Sequence, residues 1–163
     1  MCIRDRHRVW YPMTSRYFSL VIFLLIAVGG GLLIGANNVP GAWYEGLQKP
    51  WFNPPNWIFA PVWTVLYVLI GIAGWLVWRR RDRPALTLWF LQMGLNFIWT
   101  PVFFGANLLG PALGIALGML AAAVAFTVRG WTVERRAAWC FVPYVAWVAF
   151  ASLLNGALWQ LNG

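Results

Sequence analysis

A chain of 163 residues in which 61% are hydrophobic and 10% charged has the length of one domain but lies far from the soluble norm, where about a quarter of residues carry charge. Its formal charge of +8 does not mark a nucleic-acid binder, because the arginines fall in short connections between apolar runs rather than along a face or groove. Cys2 and Cys140 have neither metal-ligand spacing nor the pattern of a disulfide scaffold, so no metal site is expected.

In chain order, the basic opening MCIRDRHRVWYP is not followed by the short apolar region and cleavage site of a signal peptide. MCIRDR reads as translated upstream or assembly-derived sequence, with Met13 as the start. Residues 1–16 are then a tail and 17–163 one transmembrane domain. Five apolar segments predict membrane-crossing helices: 18–35, 57–78, 84–104, 108–128 and 137–159. Segments 57–78 and 108–128 carry no charged residue, and about 20 apolar residues cross a ~30 Å hydrocarbon layer. Connections are short except the first, 37–56, NNVPGAWYEGLQKPWFNPPN. Its aromatics and Pro40, Pro50, Pro54 and Pro55 argue for an ordered lid, since a long loop in a compact protein is usually functional or disordered. Glu45 and Lys49, at i and i+4, predict a short surface helix within it. Cys140, in the last segment, reads as a small buried apolar residue. The fold class is an all-α membrane protein, a five-transmembrane-helix bundle with a lid loop between the first and second helices.

Arginine placement gives the expected orientation. The tail and the second and fourth connections hold Arg4, Arg6, Arg8, Arg16, Arg79, Arg80, Arg81, Arg83, Arg129, Arg135 and Arg136, against Lys49 alone on the other side. The N-terminus is expected in the cytoplasm, with lid and C-terminus outside a bacterial cell membrane.

The thirteen tryptophans divide by depth. Trp10, Trp57, Trp78, Trp131, Trp139 and Trp159 lie near span ends and suit the interfacial belt. Trp63 and Trp147 lie inside their helices, where packing or ligand contact must explain them. Helical spacing groups Gln92, Asn96 and Thr100 on one face of the third segment, and Tyr144, Trp147, Ala151 and Asn155 on one face of the fifth. Trp63 and Tyr67, continued by Ile70 and Gly74, do the same in the second. Polar side chains at membrane depth face the bundle interior, because lipid offers them no partner. Two readings stay open: the stripes line an aromatic cavity for a small molecule, or they hydrogen-bond between helices at about 0.6 kcal/mol each. Gly110, Gly114 and Gly118 predict close helix approach, to a neighbour in the same chain or to a second copy in a homodimer.

The acids Asp5, Glu45, Asp82 and Glu134 all fall in connections or the tail, and His7 lies in the tail. No carboxylate pair or activated nucleophile falls within a span, so acid–base or hydrolytic catalysis lacks its groups and no catalytic residue of that kind is expected. A proton-coupled transporter would also want an ionisable group inside the membrane.

Three stretches, WYEGLQKPWFNPPNWIFAPVWTVLY at 43–67, LNFIWTPVFFG at 95–105 and FVPYVAWVAFASLLN at 141–155, are similar to the TspO/MBR family of tryptophan-rich sensory proteins, in the family's order. The resemblance runs from about residue 20 to the end. It implies a five-helix receptor whose pocket, closed by the first loop, binds porphyrins such as protoporphyrin IX and haem, and synthetic lipophilic ligands. Trp63 and Trp147 stand where the family's pocket tryptophans stand, implicated in light-dependent porphyrin breakdown. They would be the catalytic candidates of a degradative enzyme. Tyr67, Asn96 and Ala151 match pocket-lining positions, Trp43 and Trp51 match lid positions, and Thr100 and Phe103 join the ligand-binding set. The family's sterol-contact motif needs a tyrosine and a basic residue where this chain has Gly156 and Gln160. With no histidine in a span, axial iron ligation is not expected, which favours a free-base ring over haem, with Lys49 and indole N–H groups near its propionates. No cofactor is required. The alternatives to a receptor are the degradative enzyme and a tetrapyrrole or small-metabolite transporter.

Overall fold

The computed structural model describes residues 13–163; the tail reading of MCIRDR, with Arg4, Arg6, Arg8 and Trp10, lies outside the described residues. Five helices are long and apolar enough to cross a membrane: Thr14–Asn37, Asn56–Arg79, Arg83–Gly105, Leu109–Val133 and Arg135–Asn162, here the first to fifth spans. Each starts earlier or runs later than its apolar core predicts. Hydropathy marks only the part in hydrocarbon, whereas backbone hydrogen bonding continues until something ends it. At the third span Asp82 is that something: its carboxylate accepts from the Ala85 amide at 2.9 Å and Pro84 follows in the first turn, a standard helix start.

The spans pack in the order first, second, fifth, fourth, third around the bundle, with the third closing on the first. The fourth and fifth pair most extensively. Close approach of the first and second requires a glycine. A Cβ on Gly31 would sit inside the Tyr67 ring. The Gly110–Gly118 line is used unevenly: a Cβ on Gly110 would meet the Trp159 ring at 3.2 Å, while nothing lies within 4 Å of one on Gly114.

Two wide helical turns, Leu25–Gly29 and Pro101–Gly105, interrupt the first and third spans. The second has a covalent cause. Pro101 has no N–H to donate, and the ladder resets with the Ala106 amide donating to the Pro101 carbonyl at 2.8 Å. Such single wide turns often sit at functional sites; here the turn carries Phe103 and Phe104.

The lid is ordered and contains a short helix, Ala42–Glu45. The expected Glu45–Lys49 pair does not hold it. The helix ends at Glu45, and Lys49 Nζ donates to the Glu45 carbonyl at 3.0 Å while lying 5.0 Å from the centre of the Tyr44 ring. The fifth span, 28 residues, is ~42 Å long at ~1.5 Å per residue and so outreaches a ~30 Å core. Its last turn meets the lid: the Gln48 amide donates to Asn162 Oδ1 at 2.9 Å and Asn162 Nδ2 donates to the Gln48 carbonyl at 2.9 Å.

At the opposite end two ion pairs join the second connection to the end of the fourth span and the residue that follows it, Arg80 to Glu134 and Asp82 to Arg129, both at 2.7 Å. The Arg129 hydrogen bond holds the Asp82 carboxyl below its ordinary value, against a smaller opposing effect of burial.

Candidate ligand site beneath the lid

Two layers make the site, and the deeper one is polar. Asn96 is 2% exposed. Its Oδ1 accepts from the Tyr67 hydroxyl at 2.8 Å, and its Nδ2 donates to the Tyr144 hydroxyl at 3.1 Å. Tyr144 in turn donates to Gln92 Oε1 at 2.8 Å, and Gln92 Nε2 donates to the Trp89 carbonyl at 2.9 Å. The stripes of the second, third and fifth spans therefore meet as one hydrogen-bonded network, which satisfies groups that neither lipid nor core could. A second amide bridge lies nearer the lid: Trp99 Nε1 donates to Asn155 Oδ1 at 3.2 Å, and Asn155 Nδ2 to the Leu109 carbonyl at 2.8 Å.

Above the network is an aromatic cavity whose walls include Tyr44, Phe59, Trp63, Phe103, Trp147 and Asn155. Helix periodicity builds each wall. Phe59, Trp63 and Tyr67 follow at i, i+4 and i+8 in the second span, and the Trp63 ring stacks on Tyr67 at 5.4 Å and 28°. Trp147, Ala151 and Leu154 follow at i, i+4 and i+7 in the fifth. The lid supplies the roof. Tyr44, 1% exposed, packs on Phe103 and Phe104 at 6.2 and 5.5 Å and donates its hydroxyl to Asn53 Oδ1 at 2.9 Å. Burial pushes that hydroxyl's pKa up against the opposing Asn53 bond, so it stays neutral.

The cavity's volume is ≈ 20 Å³, about the room of one water and far below the ~300–1,000 Å³ of a ligand pocket. The rings meet one another across it: Phe59 faces Trp147 edge-on at 6.1 Å, and Trp147 lies 5.5 Å from Phe150. One group in this layer is unsatisfied. Trp147 Nε1 is buried with no hydrogen-bond partner.

Of the residues expected from sequence, Trp63, Phe103, Trp147 and Ala151 line the cavity together. Trp43 lies behind the wall, edge-on to Phe103 at 6.1 Å. Tyr67 and Asn96 form the floor network beneath it. Thr100, half-buried, is not among the lining residues. Trp51 is 95% exposed and packs on Phe52 at 5.6 Å, which in turn meets Phe150 at 6.2 Å; it sits on the lid's outer surface. Asn155, from the fifth-span stripe, joins the wall, and the structure adds Tyr44, Phe59, Trp99, Phe104 and Leu154. Spacing could have found several of these, since Phe59 precedes Trp63 by four and Trp99 lies between Asn96 and Phe103 at i+3. Phe104 extends the Gln92, Asn96, Thr100 spacing by another four, and it lines the wall while Thr100 does not.

Similarity to known proteins covers most of the chain. The TspO/MBR family model matches residues 19–160. An Archaeoglobus fulgidus protein named tryptophan-rich protein TspO is 39% identical over 146 residues, 86% of this chain and 94% of that protein. The human translocator protein is 40% identical over 141 residues, 81% of this chain and 83% of that protein. A tryptophan-rich sensory protein of Cereibacter sphaeroides is 35% identical over 146 residues, 89% and 92% of the two chains.

Proposed function

The chain belongs to the TspO/MBR family and is an integral, multi-pass membrane protein, and from that premise we propose that it is a sensory receptor for a flat lipophilic ligand, a porphyrin such as protoporphyrin IX, held between Trp63 and Trp147 beneath the lid. The observation that carries the reading is the buried, unpartnered Trp147 Nε1 in a largely aromatic wall. Buried polar groups are nearly always hydrogen-bonded, and an indole combines a wide apolar face with one donor. A ring that offers both a π-face and an acceptor meets both demands.

Admitting it requires the wall to open. At ≈ 20 Å³ the cavity excludes a macrocycle, and in this reading Tyr44 and its lid lift from Phe103 and Phe104. Aromatic packing suits such a move, since ring contacts are worth only about 0.5–1.5 kcal/mol each beyond area burial and can re-form against the ligand. With no histidine within any span, the free-base ring is preferred over haem. The arginine-rich end faces the cytoplasm of a bacterial cell membrane and the lid faces out.

Titrating protoporphyrin IX against purified protein, followed by tryptophan fluorescence quenching, tests the reading. Trp147→Phe keeps the apolar area and deletes the donor. It should raise Kd roughly fivefold, the equivalent of a hydrogen bond of about 1 kcal/mol. Trp131→Phe, on the surface against Trp139 at 5.2 Å, should leave Kd within about twofold of wild type, since surface substitutions stay within ~0.5 kcal/mol. Equal Kd for all three proteins would refute the site. A second reading, light-driven oxidation of the bound ring by dioxygen, is favoured by the Trp63–Tyr67 stack, an oxidisable pair at the cavity edge. Loss of porphyrin absorbance under illumination, abolished in Trp63→Phe, would support it.

A further inference from the structure

The basic end of the bundle holds a second cavity, which the aromatic site does not use. Its volume is ≈ 360 Å³, and Arg16, Leu76, Arg79, Arg80, Glu134 and Arg136 line it. These come from the start of the first span, the end of the second and the entry to the fifth, three stretches remote in sequence. Four guanidinium groups therefore converge on a space with one carboxylate, and that carboxylate is already taken: Arg80 Nε and Nη2 both donate to Glu134 Oε2, at 2.8 and 2.7 Å. Asp82, the other acid in these connections, is held by Arg129 through two bonds at 3.1 and 2.7 Å. Among the described residues Arg16, Arg79 and Arg136 have no acidic partner.

Two of these arginines are positioned rather than merely present. Trp75 Nε1 donates to the Arg16 carbonyl at 3.2 Å, and the Arg79 guanidinium lies 4.9 Å from the Trp75 ring centre. One indole thus ties the Arg16 backbone and the Arg79 guanidinium to the same wall. The fifth helix also begins here with Glu134 at its N-cap but no side-chain capping bond, since Glu134 turns to Arg80. The Ala137 amide is taken by the Glu134 carbonyl at 2.9 Å, so what this end of the 28-residue helix adds to the cavity is the positive end of its dipole, which favours an anion. A general excess of cytoplasmic arginine needs only exposed side chains. It does not need a walled cavity in which the available carboxylate has been neutralised.

We propose that this cavity binds a phosphate group, with an anionic phospholipid headgroup as its source. Guanidinium forks match phosphate oxygens in a way that ammonium groups do not. The cavity lies where three spans leave the apolar layer, with Leu76 among its lining residues, at the depth of lipid phosphates; basic pockets between transmembrane helices take anionic headgroups in this way. Soluble phosphate shares the chemistry but would have no use for that position.

The test uses the full-length protein in neutral detergent, with melting temperature as readout. One arm adds phosphatidylglycerol or phosphatidylcholine to the micelles; the other adds inorganic pyrophosphate at constant ionic strength. Phosphatidylglycerol should raise the melting temperature saturably and phosphatidylcholine should not. Arg79→Gln and Arg136→Gln should each weaken the phosphatidylglycerol response about tenfold, the worth of a charge-assisted bond. Arg83→Gln and Arg135→Gln remove the same charge from the same end but outside the cavity, and should shift it less than twofold. Arg79→Lys keeps the charge without the fork and should fall between. A saturable pyrophosphate response lost in the same two variants, without a lipid response, would keep the phosphate site and overturn the lipid source. Equal losses in all four Gln variants, or no saturable response in either arm, would overturn the site itself.

Discussion

Asn96→Leu is the sharpest probe of the buried network, because both of its amide atoms bond across helices. The substitution removes the Tyr67 bond at 2.8 Å and the Tyr144 bond at 3.1 Å. At ~0.6 kcal/mol for an average intramembrane hydrogen bond and up to ~1.7 for a strong one, the loss should be about 1–3 kcal/mol. Leucine is close in size and apolar, so little of that is a cavity term. A double-mutant cycle with Tyr67→Phe isolates one bond: Tyr67→Phe removes the hydroxyl that Asn96→Leu strands. The double mutant should therefore be more stable than the sum of the singles predicts, by roughly 0.6–1.7 kcal/mol. Tyr144→Phe should cost more than Tyr67→Phe, since it also strands Gln92 Oε1. Equilibrium unfolding in mixed micelles reads all of these. Strict additivity of Asn96→Leu and Tyr67→Phe would show that the bond contributes nothing. Ligand affinity supplies the other arm: neither Asn96 nor its amide atoms line the cavity, so Kd for protoporphyrin IX should change less than in Trp147→Phe. A larger change in affinity with stability intact would mean that the amide turns toward the ligand.

Asn162→Ala removes both bonds to the Gln48 backbone and should speed ligand association and dissociation together, by several-fold in stopped-flow quenching, with amide exchange rising across residues 46–50. Gly31→Ala should lower stability by about 1–3 kcal/mol, the cost of overpacking, because the new methyl overlaps the Tyr67 ring; a melting curve reads it. The Asp82 carboxyl titrates below its ordinary value of 3.8, so its contribution to stability is complete above that pH and is lost as pH falls through the lowered folded-state value. Asp82→Asn should flatten that acid limb of a melting profile. A cysteine in place of Gln48, in a background lacking Cys2 and Cys140, should react with an impermeant maleimide in intact cells whose outer membrane, if present, is permeabilised; labelling only after lysis would invert the orientation.

The fold was legible because a membrane makes sequence unusually plain. Uncharged runs such as 57–78 have one structural solution in lipid, and the polar stripes had to face inward. Gln92, Asn96 and Tyr144 did so, and met. Partnering was beyond the sequence: spacing puts Asn96 on a face but cannot say whether a tyrosine or a ligand fills its amide, since the answer depends on how the second and fifth helices rotate against the third. The wide turn at Pro101 marks the other limit. Proline announces an interruption but not its form, so the spacing that runs through Gln92, Asn96 and Thr100 to Phe104 could not say that Phe104 would reach the wall and Thr100 would not. Glu45 and Lys49 show a third. Their spacing suits a helical pair, yet the helix stops at Glu45, and Lys49 turns to the Tyr44 ring and the Glu45 carbonyl.

The distribution of bonds says where the molecule can move. At the arginine-rich end, two ion pairs of 2.7 Å tie the second connection to the end of the fourth span and the residue that follows it. At mid-depth the network through Asn96 and Tyr144 ties the second, third and fifth spans, and breaking any link strands a polar group where no water can repair it. At the lid end, among the described residues, the hydrogen bonds that hold residues 42–53 to the spans are the two at Asn162; the rest of the grip is ring against ring. Those contacts are non-directional, and a flat ligand sliding between Phe103, Tyr44 and Trp147 would replace one aromatic surface with another. Opening therefore costs least at the lid, and the two deeper layers hold the helices in place while it happens. On the proposed function, this mechanics would make the molecule report a bound ligand through the position of its lid and of the exposed Trp51, not through a rearrangement of the bundle.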